Sequence, residues 1–170
     1  LKGDLSSQKN DLKSAEESYI QAIQYTDDPG PIMKKLLFVY IDMGDNQKAI
    51  DYANKLLDKY PNDIDLYYNV GVLYQRLTLD MFDPTRKLFL KTTDETSPKI
   101  IKEVYASFVK ARKYAYNSKD FFLQASDLEL DENLSTSDAV SEMGKLMDQI
   151  DDIFMPSIRE TARSAGIKLN

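Results

Sequence analysis

The fold is decided by the stretch Asp65-Leu66-Tyr67-Tyr68-Asn69-Val70-Gly71-Val72-Leu73-Tyr74. Its pattern recurs every thirty-four residues, from the start of the chain to about two-thirds of its length. Four sets of residues share this interval: Met33, Tyr67 and Ile101; Leu36, Val70 and Val104; Leu37, Gly71 and Tyr105; and Tyr40, Tyr74 and Phe108. In the stretches between them, Ala15 matches Ala49 at the same interval, and Ala22 matches Leu56. Each period therefore contains two apolar clusters, which predicts two amphipathic helices per period.

The quoted stretch resembles the opening of a tetratricopeptide repeat, with Tyr67 in the place of that family's Trp. Gly44-Asp45-Asn46 fits the turn between the two helices of a repeat. Pro61 fits the end of the second helix, because proline lacks the N–H that would continue it. Residues 1–22 match an earlier repeat in the same phase, without its first few residues, so we expect the chain to begin inside a repeat. Other helical arrays show similar apolar spacing, but the fixed period and the turn residues favour this family.

The resemblance covers residues 1–111 and implies an all-α fold, a right-handed α-α superhelix (solenoid) of antiparallel helix hairpins. We expect its first repeat to be truncated and its third to be degenerate. Residues 112–170 are predicted to form an extended helix and a C-terminal capping helix in the same structural unit, because the end of a repeat array would otherwise expose an apolar face.

The repeat pattern decays after Tyr74. Asp83-Pro84-Thr85 predicts a fresh helix start, since proline suits the first helical turn and Asp can cap it, and a short helix is expected from Pro84 to about Thr93. After a loop, a second helix should begin at Ser97-Pro98. No Gly or Pro interrupts residues 99–133, so this helix can be long, with Asn117-Ser118 as its one plausible break.

A final helix is predicted over residues 134–166, beginning at Ser135-Thr136-Ser137-Asp138 and ending near Gly166. Pro156 should kink this helix or end it at Met155. Its apolar face consists of Val140, Met143, Met147, Ile150, Phe154 and Ile158. Methionines at helical spacing can form an adaptable binding surface, but here we favour a core-filling role.

The composition argues against an enzyme. The chain has no His and no Cys, which excludes catalytic triads and Cys- or His-ligated metals, and its scattered glycines form no phosphate-binding loop. We therefore predict no catalytic residues, cofactor or metal. The net charge of −6 argues against nucleic-acid binding, and no apolar run is long enough for membrane insertion. Residue usage leans towards a bacterial source, with the cytoplasm and the periplasm or cell envelope both open as locations.

Charge is distributed unevenly along the second half. Residues 99–119 contain six basic side chains and Glu103 as the one acidic side chain, whereas residues 120–160 contain eleven acidic and two basic side chains. Two interpretations are open: the segments balance each other within the chain, or the basic segment is a docking patch. We favour intramolecular balance, although exposed ion pairs contribute only ~0–1 kcal/mol each.

The family resemblance implies that the first helix of each repeat lines a concave groove in which partner peptides bind. Positions between the buried stripes should face that groove. They are Lys34, Phe38 and Ile41 in the second repeat, Tyr68, Asn69, Val72 and Gln75 in the third, and Lys102, Ala106 and Val109 in the fourth. We predict a non-catalytic scaffold that binds a peptide or helix segment of another protein, because an exposed apolar strip often marks an interaction site.

Two alternatives to an open groove remain. The acidic C-terminal helix can fold back over the strip, or the chain can be an assembly module that stacks with further repeats or self-associates through its truncated N-terminal repeat. Binding of chaperone C-termini is not expected. Of the five positions of the family's carboxylate clamp, Lys34 and Asn69 match, but Phe38, Ile100 and Val104 occupy the other three.

Overall fold

The computed structural model describes residues 11–93, 95–128 and 136–169. Over these residues the chain forms helices and no strand. The helices are α1 Leu12–Gln24, α2 Gly30–Asp42, α3 Asn46–Lys59, α4 Ile64–Phe89, α5 Pro98–Leu128, α6 Thr136–Gln149, a π-helical segment Ile150–Phe154, and α7 Met155–Ser164. The predicted all-α class is confirmed. Residues 1–10 of the predicted first repeat and Ser135, at the predicted start of the final helix, lie outside the described residues.

The thirty-four-residue period is visible in the helix starts. First helices begin at Gly30, Ile64 and Pro98, each thirty-four residues after the last, and second helices begin at Leu12 and Asn46, again thirty-four apart. The helix pairs are those of an α-helical repeat. The chain divides into two compact units, residues 1–66 and residues 67–170, and the predicted boundary at residue 111 falls inside α5.

In the first unit, local sequence sets the helix ends. Asp11 and Asp45 cap α1 and α3, each accepting a hydrogen bond from the backbone N–H three residues later, at 3.2 and 3.1 Å. Gly44 has a φ of +71°, a left-handed conformation that glycine adopts without a steric penalty, so the predicted turn is confirmed. Pro61 follows the end of α3, as predicted. The core of this unit includes Ala15, Tyr19, Leu36, Leu37, Tyr40, Ala49, Ala53 and Leu56.

In the second unit, α4 is one helix of 26 residues, and the predicted fresh start at Asp83-Pro84-Thr85 is wrong because Pro84 lies inside α4. Pro84 has no N–H to donate to the carbonyl of Asp80, four residues earlier. Asp80 is exposed, so water can bond to this carbonyl instead. The Thr85 hydroxyl donates to the Met81 carbonyl at 2.7 Å and stays within the helix. The prediction of a long α5 is confirmed, since it continues for 31 residues through Asn117-Ser118.

The pairing of α4 and α5 depends on a small residue. A Cβ atom on Gly71 would lie 2.7 Å from the buried ring of Phe122, closer than real Cβ contacts allow. Beside this contact the buried Ser118 hydroxyl donates to the Gly71 carbonyl at 2.8 Å. Gly71 therefore sets how closely the backbone of α4 approaches α5.

The C-terminal helices pack against α5. The final helix is interrupted just before Pro156 and does not end at Met155: α6 ends at Gln149, a π-helical segment follows, and α7 begins at Met155. The Met155 N–H donates to the Ile150 carbonyl five residues earlier, which makes a π turn wider than an α-helical turn. This π turn lies directly before Pro156 and lets the helix continue through the proline. At the other end, Gly166 has a φ of +69°, and its N–H and that of Ile167 bond to the Arg163 and Ala162 carbonyls, which ends α7 near the predicted residue.

We predict that Gly71→Ala destabilises the protein. Alanine is favoured over glycine within a helix by ~1 kcal/mol, but the clash with the enclosed Phe122 ring should cost about 1–3 kcal/mol. The net effect should be a lower urea midpoint and a lower melting temperature, measured by circular dichroism.

Gly144→Ala is the matched control, because Gly144 also lies inside a helix. The nearest atom to its added Cβ would be Nζ of Lys119 at 3.6 Å, the end of a flexible side chain. This variant should gain up to ~1 kcal/mol from helix propensity. Equal effects of the two substitutions would contradict the close contact at Gly71.

Candidate interaction surfaces

On α2, in the first unit, the three predicted groove positions have different environments. Phe38 is 40% exposed. The Nζ atom of Lys34, one turn earlier, lies 2.7 Å from a carboxylate oxygen of Asp63, and its side chain is half-buried. Ile41 is only 5% exposed, because it lies one turn after the buried Leu37 and continues that stripe. Ile41 therefore belongs to the core of this unit rather than to an exposed strip.

On α4, in the second unit, the predicted groove positions contact other helices of the same unit. The ring of Tyr68 lies 5.4 Å from the ring of Phe122 on α5. Val72 packs against the apolar cluster of this unit, and the Gln75 amide donates to a carboxylate oxygen of Glu142 on α6 at 3.1 Å. Asn69 is half-buried. The structure thus leaves little of this part of the predicted strip open.

The cover on α4 comes partly from the C-terminal helices. Met143, Leu146, Ile150 and Ile158 are buried in the same apolar cluster against which Tyr68 and Val72 pack. The Phe154 ring lies 5.3 Å from Phe82 on α4 and stacks on Phe108 of α5 at 5.1 Å. Within the second unit the C-terminal segment therefore belongs to the same apolar cluster as the α4 positions Tyr68 and Val72. Its methionines Met143 and Met155 are core residues.

The predicted positions on α5 remain accessible. Val109 is 43% exposed, and Lys102 and Ala106 are exposed two turns and one turn before it, respectively. Lys102 and Ala106 also border a small cavity of about 200 Å³ together with Tyr105, Lys168 and Leu169. Of the positions predicted on the second unit, the exposed ones are Lys102, Ala106 and Val109.

The two oppositely charged segments exchange few ion pairs among the described residues. Arg112 pairs with Asp151, and this carboxylate raises the pKa of the Arg112 guanidinium. Lys99 pairs with Glu103 in its own segment at 3.9 Å. Lys110 lies over the Tyr114 ring at 5.6 Å rather than beside a carboxylate. Among the described residues, pairing with the acidic segment therefore accounts for one basic side chain of residues 99–119, that of Arg112. Most of the positive charge of residues 99–119 stays at the surface.

A cleft in the first unit was not anticipated from the sequence. It has a volume of about 720 Å³ and lies between α1, α2 and the N-terminal part of α3. Its apolar wall includes Ile20, Ile23 and Leu36, and its rim includes Lys48 and Lys55. On α2 the cleft opens at Leu36 and Tyr40. Each of these residues is two positions from Phe38 and so lies roughly 200° from it around the helix. The cleft and the exposed Phe38 ring are therefore on nearly opposite faces of α2. The sequence signal for this cleft was Ile20, an apolar residue outside the repeating stripe, which is 42% exposed.

Two tyrosines dominate one wall of the cleft. The rings of Tyr40 and Tyr52 meet edge to face at 5.2 Å, and Lys48, which pairs with Glu16, lies over the Tyr40 ring. Burial raises the pKa of Tyr40. The pKa of Tyr52 is raised from its ordinary value of 10.0 to about 12, mainly by burial and to a smaller extent by the neighbouring Tyr40 and Tyr60. Both phenols are therefore neutral at physiological pH, and the cleft wall behaves as an apolar surface with hydroxyl groups.

Two further searches were restricted to the described residues. None of their acidic side chains cluster in a way that would hold a metal ion. None of their helices is long and apolar enough to cross a membrane.

A family model described as tetratricopeptide repeat matches residues 1–29 of this chain. The match includes all of α1 and ends immediately before α2 begins at Gly30. It therefore supports the family assignment that the thirty-four-residue period suggested. The matched residues do not include the stretch from Asp65 to Tyr74, which carried the resemblance in the sequence. No curated protein matches the chain.

We predict that the raised pKa of Tyr52 makes the protein less stable at alkaline pH. In the unfolded chain this phenol loses its proton near pH 10, whereas in the folded state it does so near pH 12. Between these values the unfolded state binds fewer protons, so the free energy of unfolding falls as the pH rises. Urea unfolding at a pH of about 9 and about 11 should show this loss.

Tyr52→Phe should reduce the alkaline loss of stability and remove the latest step from a titration of phenolate absorbance. Tyr25→Phe is the control, because Tyr25 is 87% exposed. A similar response of both variants would show that Tyr52 is not the group responsible.

Proposed function

We propose that this tetratricopeptide repeat chain is a non-catalytic protein–protein interaction module that binds a short peptide segment of a partner protein on exposed positions of its first helices. The tetratricopeptide repeat itself suggests an interaction module, since the family is typically a scaffold without catalytic activity. In the first unit the proposed contact residue is Phe38. The second unit offers its own candidate surface at Lys102 and Val109, which the C-terminal helices leave exposed.

The observation that carries this proposal is the exposure of Phe38. Its ring is 40% exposed on a helix whose apolar side chains Leu36, Leu37, Val39, Tyr40 and Ile41 are buried. The repeat scaffold does not need this ring for its own core. Aromatic side chains are among the residues that most often dominate binding energy, because they bury a large apolar area with few rotatable bonds.

Lys34 gives this surface a fixed polar edge. Its ammonium group lies 2.7 Å from one carboxylate oxygen of Asp63 and 3.8 Å from a carboxylate oxygen of Asp65. Because the Lys34 side chain is only 24% exposed, its position is largely set before a partner arrives. A peptide on this face would therefore place an apolar side chain on Phe38 and a hydrogen-bond acceptor near Lys34.

We expect Phe38→Ala to weaken binding of the partner peptide by at least five-fold, since truncating a central aromatic contact removes more than ~1 kcal/mol. The partner is first captured on the immobilised chain and identified by mass spectrometry. Isothermal titration calorimetry with its binding segment then gives the dissociation constants.

The matched control is Leu90→Ala, because Leu90 is a 70% exposed apolar residue on a different part of the chain. Tyr68 is unsuitable for this test, since its ring packs against Phe122 and its removal would change stability as well as binding. If Phe38→Ala binds the peptide as tightly as Leu90→Ala does, Phe38 is not part of the binding surface.

The second candidate function is an assembly module that associates with another copy through its N-terminal repeat. It is favoured by the exposure of two large apolar side chains on and just after α1: Ile20 is 42% exposed and Tyr25 is 87% exposed. These side chains would be suited to a contact with a further repeat or a second copy.

The proposed interaction module should sediment as a monomer at all concentrations in analytical ultracentrifugation. Concentration-dependent association would favour the assembly module if the double variant Ile20→Ser/Tyr25→Ser abolishes it. Both side chains are exposed, so this variant should keep the helical circular dichroism of the unmodified chain.

A further inference from the structure

The buried face of α5 has a strict heptad pattern. Its buried residues are separated alternately by three and four positions: Ile101, Val104, Phe108, Ala111, Ala115, Ser118, Phe122 and Ala125. This average period of 3.5 residues keeps the buried face almost straight along the helix. Any other set of residues on α5 that are seven positions apart therefore also forms a nearly straight row.

One such row is apolar and exposed. Val109, Tyr116 and Leu123 are spaced by seven residues, and their exposed fractions are 43%, 59% and 42%. We call these three residues, together with Lys102 seven positions earlier, the outer row. From Val109 to Leu123 the row extends about 21 Å along the helix. Three large apolar side chains in line on a surface helix form a continuous contact surface rather than scattered exposure.

Basic side chains border the outer row. Lys113 lies one turn from both Val109 and Tyr116, and Lys119 lies one turn from both Tyr116 and Leu123. Among the described residues, Lys102, Lys113 and Lys119 have no ion pair with a carboxylate. Two acidic side chains lie one turn from Leu123: Asp120, which accepts a hydrogen bond from Gln124 at 2.7 Å, and Asp127. The net positive charge beside the row is therefore found around Val109 and Tyr116, although the whole chain has a net charge of −6.

We propose that the outer row of α5 docks an acidic amphipathic α-helix of a partner protein. A row with heptad spacing matches the apolar seam of a second helix, whose side chains then alternate with Val109, Tyr116 and Leu123 as in a coiled coil. Glutamates beside the seam of the partner helix would face Lys102, Lys113 and Lys119. This inference rests on the proposed function, because Lys102 and Val109 belong to it, and adds the chemical class of the partner.

An anionic membrane surface is the other ligand that a basic apolar face can attract. The structure favours the helix because of the shape of the apolar surface. Three apolar residues in a single straight line match the narrow seam of a helix better than the wide apolar face of a membrane-surface helix.

The test uses a fluorescent synthetic helical peptide of four heptads with leucines along its seam and glutamates beside it, and a second peptide with lysines in place of the glutamates. Fluorescence anisotropy with the full chain should show binding of the glutamate peptide only, and added salt should weaken it. Tyr116→Ala should weaken binding at least five-fold, and Lys102→Glu/Lys113→Glu at least ten-fold. All three residues are exposed, so circular dichroism should be unchanged.

The matched controls are Leu90→Ala and Lys91→Glu, which make similar changes at exposed positions outside the outer row and should alter binding less than two-fold. The proposal is overturned if the glutamate peptide fails to bind or if both peptides bind equally. It is also overturned if the chain binds phosphatidylserine vesicles through Tyr116 but not the peptide, or self-associates through Tyr116. Loss of peptide binding in Phe38→Ala but not in Tyr116→Ala would overturn it while leaving the proposed function intact.

Discussion

The close approach of α4 and α5 at Gly71 is the constraint on which the second unit depends. Only a residue without a side chain leaves room for the Phe122 ring, and the Ser118 hydroxyl joins the two backbones beside it. With this spacing set, the stacked rings of Tyr74 and Phe121 come within 5.5 Å at the same end of the helix pair. The contact at Gly71 thus holds together two helices of 26 and 31 residues.

The length of these two helices changes what the repeat can offer to a partner. Phe82 and Phe89, on the extension of α4, pack with Phe108 and Phe154 in one aromatic cluster, so the extension is part of the core. The cluster also fixes the C-terminal segment, because Phe154 lies in the π-helical turn before Pro156. If α4 ended after 13 residues, as α2 does, Phe154 would lose its contacts with Phe82 and Phe89. The C-terminal helices pack into the same apolar cluster as Tyr68 and Val72, two of the predicted groove positions on α4.

The sequence predicted those features that follow from periodicity and turn chemistry. The helix starts at Gly30, Ile64 and Pro98 keep the repeat interval, and Gly44, Pro61 and Gly166 mark the expected ends. The prediction of a helix start at Pro84 was wrong. A proline is accommodated inside a helix when the carbonyl that it leaves unpaired can bind water. Whether that carbonyl is exposed cannot be inferred from the residue type. The burial of Ile41 and the cleft beside Tyr52 depend on how neighbouring helices pack, which the pattern of one helix does not determine.

Electrostatics distinguishes the surfaces that the fold leaves open. Pairing of Arg112 with Asp151 ties α5 to the C-terminal segment, yet Lys102, Lys113 and Lys119 keep their charge beside exposed apolar side chains. Exposed lysines lose little free energy by staying hydrated, so their arrangement costs the folded chain almost nothing. Beside an apolar row they would speed the encounter with an acidic helix and orient it, while the apolar contacts hold it in place.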